Sequence, residues 1–284
     1  MITRRTLLRG IAAAPAGISV MKAARGAHVK IGVTDWNLHQ TAKVDAVALA
    51  KNLGFDGIQV SLGRAVGGKL PLDDGDVQAR YLEAAKANGI PINSTCLDVL
   101  HVNYLKNDKL GQRWVSDGVR ITRSLNSGVI LLPFFGKGAL NTAEEKEYVA
   151  DVLRELAPDA EKAKVILGLE NTISAADNLK ILDRVGSKAV QVYYDVGNST
   201  AGGFDVVREI EQLGHKNICE IHLKDNPHYM GEGAIDFRAV AHAINDIEYR
   251  GFAVLETDAP SHSVEADMRR NLTYIRRIFA DAKV

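Results

Sequence analysis

Cysteine is scarce in this 284-residue chain: Cys96 and Cys219 are too few for a disulfide framework. Cys219 lies inside the apolar stretch 217–222 and reads as a buried free thiol. Cys96 follows a similar run and is expected to line a pocket without a catalytic role. An excess of charge is also missing, because 35 Lys and Arg balance 35 Asp and Glu. No overall field therefore favours nucleic acid or an anionic membrane as a partner. No apolar segment is long enough to span a bilayer, and no linker, low-complexity tract or repeat marks a second domain. What is present is ample apolar material, 46% of residues, with an ordinary 25% charged. The length suits one α/β barrel, which typically takes about 250 residues.

The first residues carry a signal of their own. Thr3-Arg4-Arg5-Thr6-Leu7-Leu8-Arg9 matches the twin-arginine export pattern and precedes a mildly apolar stretch, Gly10 to Val20. That stretch is too short, and too rich in Ala and Gly, to be a membrane span. A small-residue cleavage site is expected near Gly26-Ala27. Residues 1–27 are set aside as a signal segment and 28–284 as the folded domain. The expected location is the periplasm, with the cytoplasm as the alternative.

From His28 onwards, short β-branched runs alternate with helical patterns. Strands are expected at Val29–Val33, Gly57–Val60, Ile90–Asn93, Gly128–Leu132, Val165–Leu169, Val190–Tyr194, Ile218–Ile221 and Phe252–Leu255. Helices are expected near Asp45–Lys51, Asp76–Asn88, Lys109–Leu125, Ala143–Lys164, Ala175–Val185, Val206–Leu213, Phe237–Tyr249 and Val264–Ala280. Gly54 and Gly89 stand where helix C-caps belong, and Pro158 should break the fourth helix. Eight strand–helix units in this length argue for a (β/α)8 TIM barrel. An open doubly wound sheet would show a Gly-rich phosphate turn after its first strand, and Val33-Thr-Asp-Trp36 is not one.

Four consecutive strands end in residues able to hold a metal: Glu170, Asp195, His222 and Glu256, spaced 25, 27 and 34 residues apart. Each spacing is about one βα unit, so the four side chains share one layer at the barrel's C-terminal face. Asp is recruited there as a helix N-cap, but Glu is a poor cap and a poor strand residue. Three carboxylates converging on one imidazole repel one another unless a cation joins them.

The segments Leu169-Glu170-Asn171, Tyr194-Asp195-Val196-Gly197-Asn198, Ile221-His222-Leu223-Lys224-Asp225 and Gly231-Glu232-Gly233-Ala234-Ile235-Asp236 resemble the sugar isomerase/epimerase superfamily with the xylose-isomerase-like barrel. The resemblance covers about residues 28–280. It implies one divalent cofactor ion (Mn2+, Mg2+, Co2+ or Zn2+) on Glu170, Asp195, His222 and Glu256. It also implies Glu170 and Glu256 as the acid/base pair, and a small-molecule carbohydrate substrate. The chemistry is proton removal beside a carbonyl that the cation acidifies, with the proton returned to another carbon or to the opposite face. Asn198, Lys224, Glu232, Trp36 and His101 are the expected substrate-binding residues. Asp98 and the pair Phe134 and Phe135 are further candidates for the mouth. Asn198 departs from the epimerase members, which often carry His there, and this weakens any carry-over of their specificity. Neither nucleic acid nor stable membrane association is expected, and a homo-oligomer is compatible with the family.

Two other outcomes use the same site. The abstracted proton's electrons could instead expel a leaving group, giving a lyase or dehydratase on a keto-inositol or keto-glycoside. A noncatalytic sugar-binding barrel is the alternative of another class. The histidine-rich three-metal repair endonucleases of the same fold are excluded, because only His222 occupies a ligand position and the neutral charge offers no phosphate-binding field.

Overall fold

Eight short strands close into one barrel: β1 (Lys30–Thr34), β2 (Gly57–Ser61), β3 (Ile92–Cys96), β4 (Val129–Pro133), β5 (Ile166–Glu170), β6 (Val190–Asp195), β7 (Ile218–Leu223) and β8 (Phe252–Leu255). All neighbours pair in parallel, and β8 returns to β1 with Lys30 opposite Phe252. The architecture is a (β/α)8 barrel, described by a computed structural model over residues 29–282. The expected signal segment, 1–27, lies outside the described residues.

The connecting helices are α1 (Asp45–Leu53), α2 (Gly75–Asn88), α3 (Lys109–Ser124), α4 (Ala143–Ala163), α5 (Ala175–Val185), α6 (Val196–Ala201), α7 (Val206–Leu213), α8 (Phe237–Asp246) and α9 (Val264–Asp281). Local chemistry sets their ends. Gly54 closes α1 at φ 98°, where its N–H reaches the carbonyls of Ala50 and Lys51. Thr142 and Glu145 form a reciprocal capping box at the start of α4. None of the described helices is long and apolar enough to cross a membrane.

Two expectations are corrected. Pro158 does not break α4, which runs through it to Ala163. Pro158 and Arg154, whose carbonyl loses its donor, are both exposed, so the missing bond falls on the solvent face of the helix, where it costs least. Buried Val149, Leu153, Ala157 and Ala160 hold the helix on both sides of the proline. Strand β3 begins at Ile92 and continues through polar residues to Cys96. Those residues belong in the strand because their partners are polar too: Ser94 Oγ donates to Glu220 at 2.7 Å, and the Thr95 and Thr122 hydroxyls lie 2.6 Å apart.

The main apolar core lies between the barrel and its helices, with residues such as Ile58, Val60, Ile130, Leu167, Ile221 and Leu255 fully buried. Each such side chain contributes roughly 1.5–3 kcal/mol relative to exposure. A separate small cluster centres on Cys96, Leu131 and Tyr193. Gln59, Asn93, Ser94, Glu220 and His222 are buried polar residues on the strands.

Candidate functional site

Strand register brings the four expected ligands together. Asp195 is opposite His222 in the β6–β7 ladder, and the Glu256 N–H donates to the Leu223 carbonyl just beyond β8. One ligand atom from each of Glu170, Asp195, His222 and Glu256 lies within 4.8 Å of all the others. Nδ1 of His222 is 2.8 Å from Glu170 Oε1, 3.5 Å from Glu256 Oε2 and 3.7 Å from Asp195 Oδ2. Asp195 serves two ends at once: its Oδ1 accepts from the Asn198 N–H at 2.7 Å, capping α6, while Oδ2 faces the cluster.

Lys224 enters the same cluster. Its Nζ donates to Glu256 Oε2 at 2.6 Å and lies 2.7 Å from Asp195 Oδ2. The lysine stem passes over Gly197, where a Cβ would come within 2.5 Å of Lys224 Cγ. Burial pushes the Glu170 and Asp195 carboxyls above the ordinary carboxylate range, and their negative neighbours add to this. Burial also pushes Glu256 up, but His222, Lys224 and Trp36 outweigh it, so its pKa falls. Burial opposes the charge on Lys224, yet Asp195, Glu256 and Glu170 together raise its pKa. Burial lowers the His222 pKa.

This donor set could hold a divalent metal. With all three carboxylates ionised, as metal binding requires, one ammonium would leave two negative charges, and the ammonium's close contacts are with Asp195 and Glu256 rather than Glu170. Oxygen and imidazole donors in this ratio suit a hard-to-borderline divalent ion.

Above the cluster opens a cavity of about 640 Å³. Trp36, His101, Asn198, Lys224, Glu170 and Glu256 all line it. The Trp36 indole N–H donates to Glu256 Oε1 at 3.1 Å, and its ring meets His222 edge-on. His101 stacks on Phe135 in the same wall, with 6.3 Å between ring centroids. Phe134, by contrast, is packed in the core. Asp98 also lines the cavity and accepts from Ser61 Oγ at 2.5 Å, with burial raising its pKa. The Cys96 thiol is pushed up by burial, consistent with an unreactive wall residue.

Glu232 does not join these residues. It is exposed, pairs with Arg270 and is absent from the cavity wall. Its motif has a structural reason: Asp225 Oδ2 accepts from the Gly231 and Gly233 N–H groups at 3.0 and 2.8 Å. Any Cβ at Gly233 would collide with the Asp225 carboxylate, while Asp236 caps α8. Sequence reasoning missed Gln59, whose Oε1 is 2.7 Å from His222 Nε2. It also missed Glu220, a buried carboxylate two residues before His222. A polar residue inside a strand was the available signal for each.

A family model described as xylose isomerase-like TIM barrel matches residues 47–278. A protein of Escherichia coli (strain K12) named as an L-ribulose-5-phosphate 3-epimerase is 27% identical over 237 residues, covering 75% of this chain and 82% of that protein. The structure of an L-ribulose 3-epimerase superposes with a TM-score of 0.73 at 17% identity, covering 90% of this chain and 96% of the other. The E. coli 3-keto-D-glucoside 4-epimerase superposes at 0.68 with 19% identity, covering 88% and 100%. Both superpositions are evidence for the shared fold. With the family model spanning most of the chain, this protein belongs to the xylose isomerase-like TIM barrel family of sugar isomerases and epimerases.

Proposed function

We propose that this chain is a divalent-metal-dependent epimerase or isomerase acting on a ketose or a related carbonyl sugar. One observation carries the reading: of the four clustered side chains, Glu170 and Glu256 line the cavity, whereas Asp195 and His222 do not. The two carboxylates best suited to proton transfer are thus the two that a substrate would meet. The names of the relatives, all sugar epimerases, support the same class.

Glu170, Asp195, His222 and Glu256 would hold the ion, which supplies Lewis-acid polarisation of the substrate carbonyl. Mn2+, Mg2+, Co2+ and Zn2+ all suit the donors. Glu256, whose pKa is held down by His222, Lys224 and Trp36, takes the proton from the carbon beside the carbonyl. Glu170 delivers a proton to the product, and the roles exchange in the reverse direction. Trp36 and the His101–Phe135 stack offer flat faces to the sugar ring, while Asn198 and Lys224 offer N–H donors to its oxygens.

A second reading, elimination from a keto-glycoside or keto-inositol, is favoured by two features. Asp98 adds a third carboxyl group to the cavity wall, one that could serve a departing group. A second cavity of about 420 Å³ shares Asn198 and Lys224 as wall and continues to Ala201, Pro227 and Ile235, giving room for an aglycone.

The test is deuterium uptake from heavy water over a panel of ketoses and keto-glycosides, with and without Mn2+. Metal-dependent exchange with epimeric or isomeric product supports the first reading, and loss of the leaving group supports the second. Sugar binding with neither exchange nor turnover would leave a noncatalytic barrel. We also propose export by the twin-arginine route, on the strength of Arg4-Arg5. Replacing both arginines by lysine should retain the protein in the cytoplasmic fraction, and unchanged fractionation would end that proposal.

A further inference from the structure

Gln59 sits on β2, which β1 and β8 separate from β7 around the barrel, yet its side chain crosses to His222. It is fully buried. Gln59 Oε1 lies 2.7 Å from His222 Nε2, and its own Nε2 has no hydrogen-bond partner among the described residues. An amide oxygen only accepts, so in this contact His222 Nε2 must carry the hydrogen. A neutral imidazole has one N–H. Nδ1 then presents its lone pair to Glu170 Oε1 and to the oxygens of Asp195 and Glu256, so a hydrogen on Glu170 or a cation must lie between them. Acceptors converge on one point, as they do around a cation.

The opposite arrangement is chemically available. A flipped Gln59 amide would donate to His222 Nε2, the hydrogen would move to Nδ1, and Nδ1–H would donate to Glu170. That state suits an empty site, but it removes the nitrogen lone pair from the ligand set. The two arrangements differ in a single amide rotation, and only one of them can ligate.

We infer that Gln59 is a positioning residue for metal capture: by accepting the His222 Nε2–H from across the barrel, it holds the imidazole with its Nδ1 lone pair among the three carboxylates. A partner on the non-ligating nitrogen commonly fixes the tautomer and ring angle of a metal histidine, and its loss typically weakens metal affinity about 10–100-fold. Here that partner is a neutral amide, and it is not adjacent to the ligand in sequence or in the sheet. The inference rests on the metal reading of the quartet proposed above, not on the reaction assigned to it.

The test is titration of the full chain with Mn2+, reading the free aquo ion by electron paramagnetic resonance. Gln59→Leu removes the acceptor and should bind Mn2+ about 10–100-fold more weakly than the parent, with unchanged circular dichroism. Gln59→Glu restores an acceptor and should recover affinity to within a few-fold of the parent. Asp195→Asn is the control for the site itself. If Asp195→Asn weakens binding and Gln59→Leu does not, or if Gln59→Glu is as weak as Gln59→Leu, the inference is wrong. If Asp195→Asn also leaves binding intact, the metal reading fails and takes the inference with it. A measurement on the unsubstituted protein guards against a misfolded Gln59→Leu. In its Zn2+-loaded, 15N-labelled form, His222 should show a slowly exchanging Nε2–H, and a hydrogen on Nδ1 instead would overturn the proposal.

Discussion

Strand β7 points two ionisable side chains into buried surroundings, two residues apart, and the barrel treats them in opposite ways. Glu220 is held by neutral groups alone: Asn93 Nδ2, Ser94 Oγ and Tyr193 OH donate to the same oxygen at 2.9, 2.7 and 3.0 Å. His222, one layer nearer the cavity, faces three carboxylates and a single ammonium. The two layers touch, with the Tyr193 ring 4.5 Å from the His222 ring. In the lower layer the chain supplies the hydrogens its carboxylate needs. In the upper layer three carboxylates share one ammonium, and the metal reading proposed above rests on that difference.

The contrast can be broken most sharply at the upper layer. Glu170→Gln and Glu256→Gln should each lower the rate of deuterium exchange about 10²–10⁴-fold, the usual share of a proton-transferring group. Exchange surviving both changes would remove the acid/base assignment.

Next in size is the response to metal. Mn2+ at 100 times its dissociation constant should add about 3 kcal/mol to stability, roughly 5–10 °C in melting temperature. Asp195→Asn should shrink that gain, and equal shifts in both proteins would argue against ligation by the quartet.

The lower layer should instead show itself through pH. Burial, partly offset by hydrogen bonds from Ser94, Tyr193 and Asn93, pushes the Glu220 carboxyl up to about 7. Between the unfolded value and that value the folded protein keeps a proton that the unfolded chain has released. Stability from this group is therefore complete below about pH 4.5 and declines as pH rises to about 7. The decline is on the order of 3 kcal/mol, and it should be absent in Glu220→Gln. Urea unfolding at pH 5 and pH 8 measures it, and identical losses in the two proteins would show that Glu220 is not so isolated.

The smallest effect belongs outside both layers. Glu232 and Arg270 are about half exposed, so Glu232→Ala should change stability by less than about 0.5 kcal/mol and leave turnover unaltered. A large loss of turnover would return Glu232 to the substrate site.

Much of this molecule is written locally. The ends of α5 and α7 and all of β8 fall where residue patterns place them, because capping residues, glycines and β-branched runs act over a few positions. The tally of strand–helix units implies the closed barrel, and one unit's length between successive strand ends implies that Glu170, Asp195, His222 and Glu256 share a layer. The short helix α6 escaped this reading, since six residues capped by Asp195 leave almost no periodic signal.

Sequence by itself thus determined the number and order of the strands, all but the span of β3, and the residues standing at the ends of the last four. Tertiary structure decided what those side chains meet. It turned Lys224 into the cluster and Glu232 out to Arg270, although both lie in the same motif-rich stretch. It carried Gln59 across the barrel to His222, over a separation of 163 residues. The reason is geometric: periodicity records which face of its own strand or helix a residue occupies, while contacts across a barrel depend on closure, tilt and stagger, which involve every strand at once.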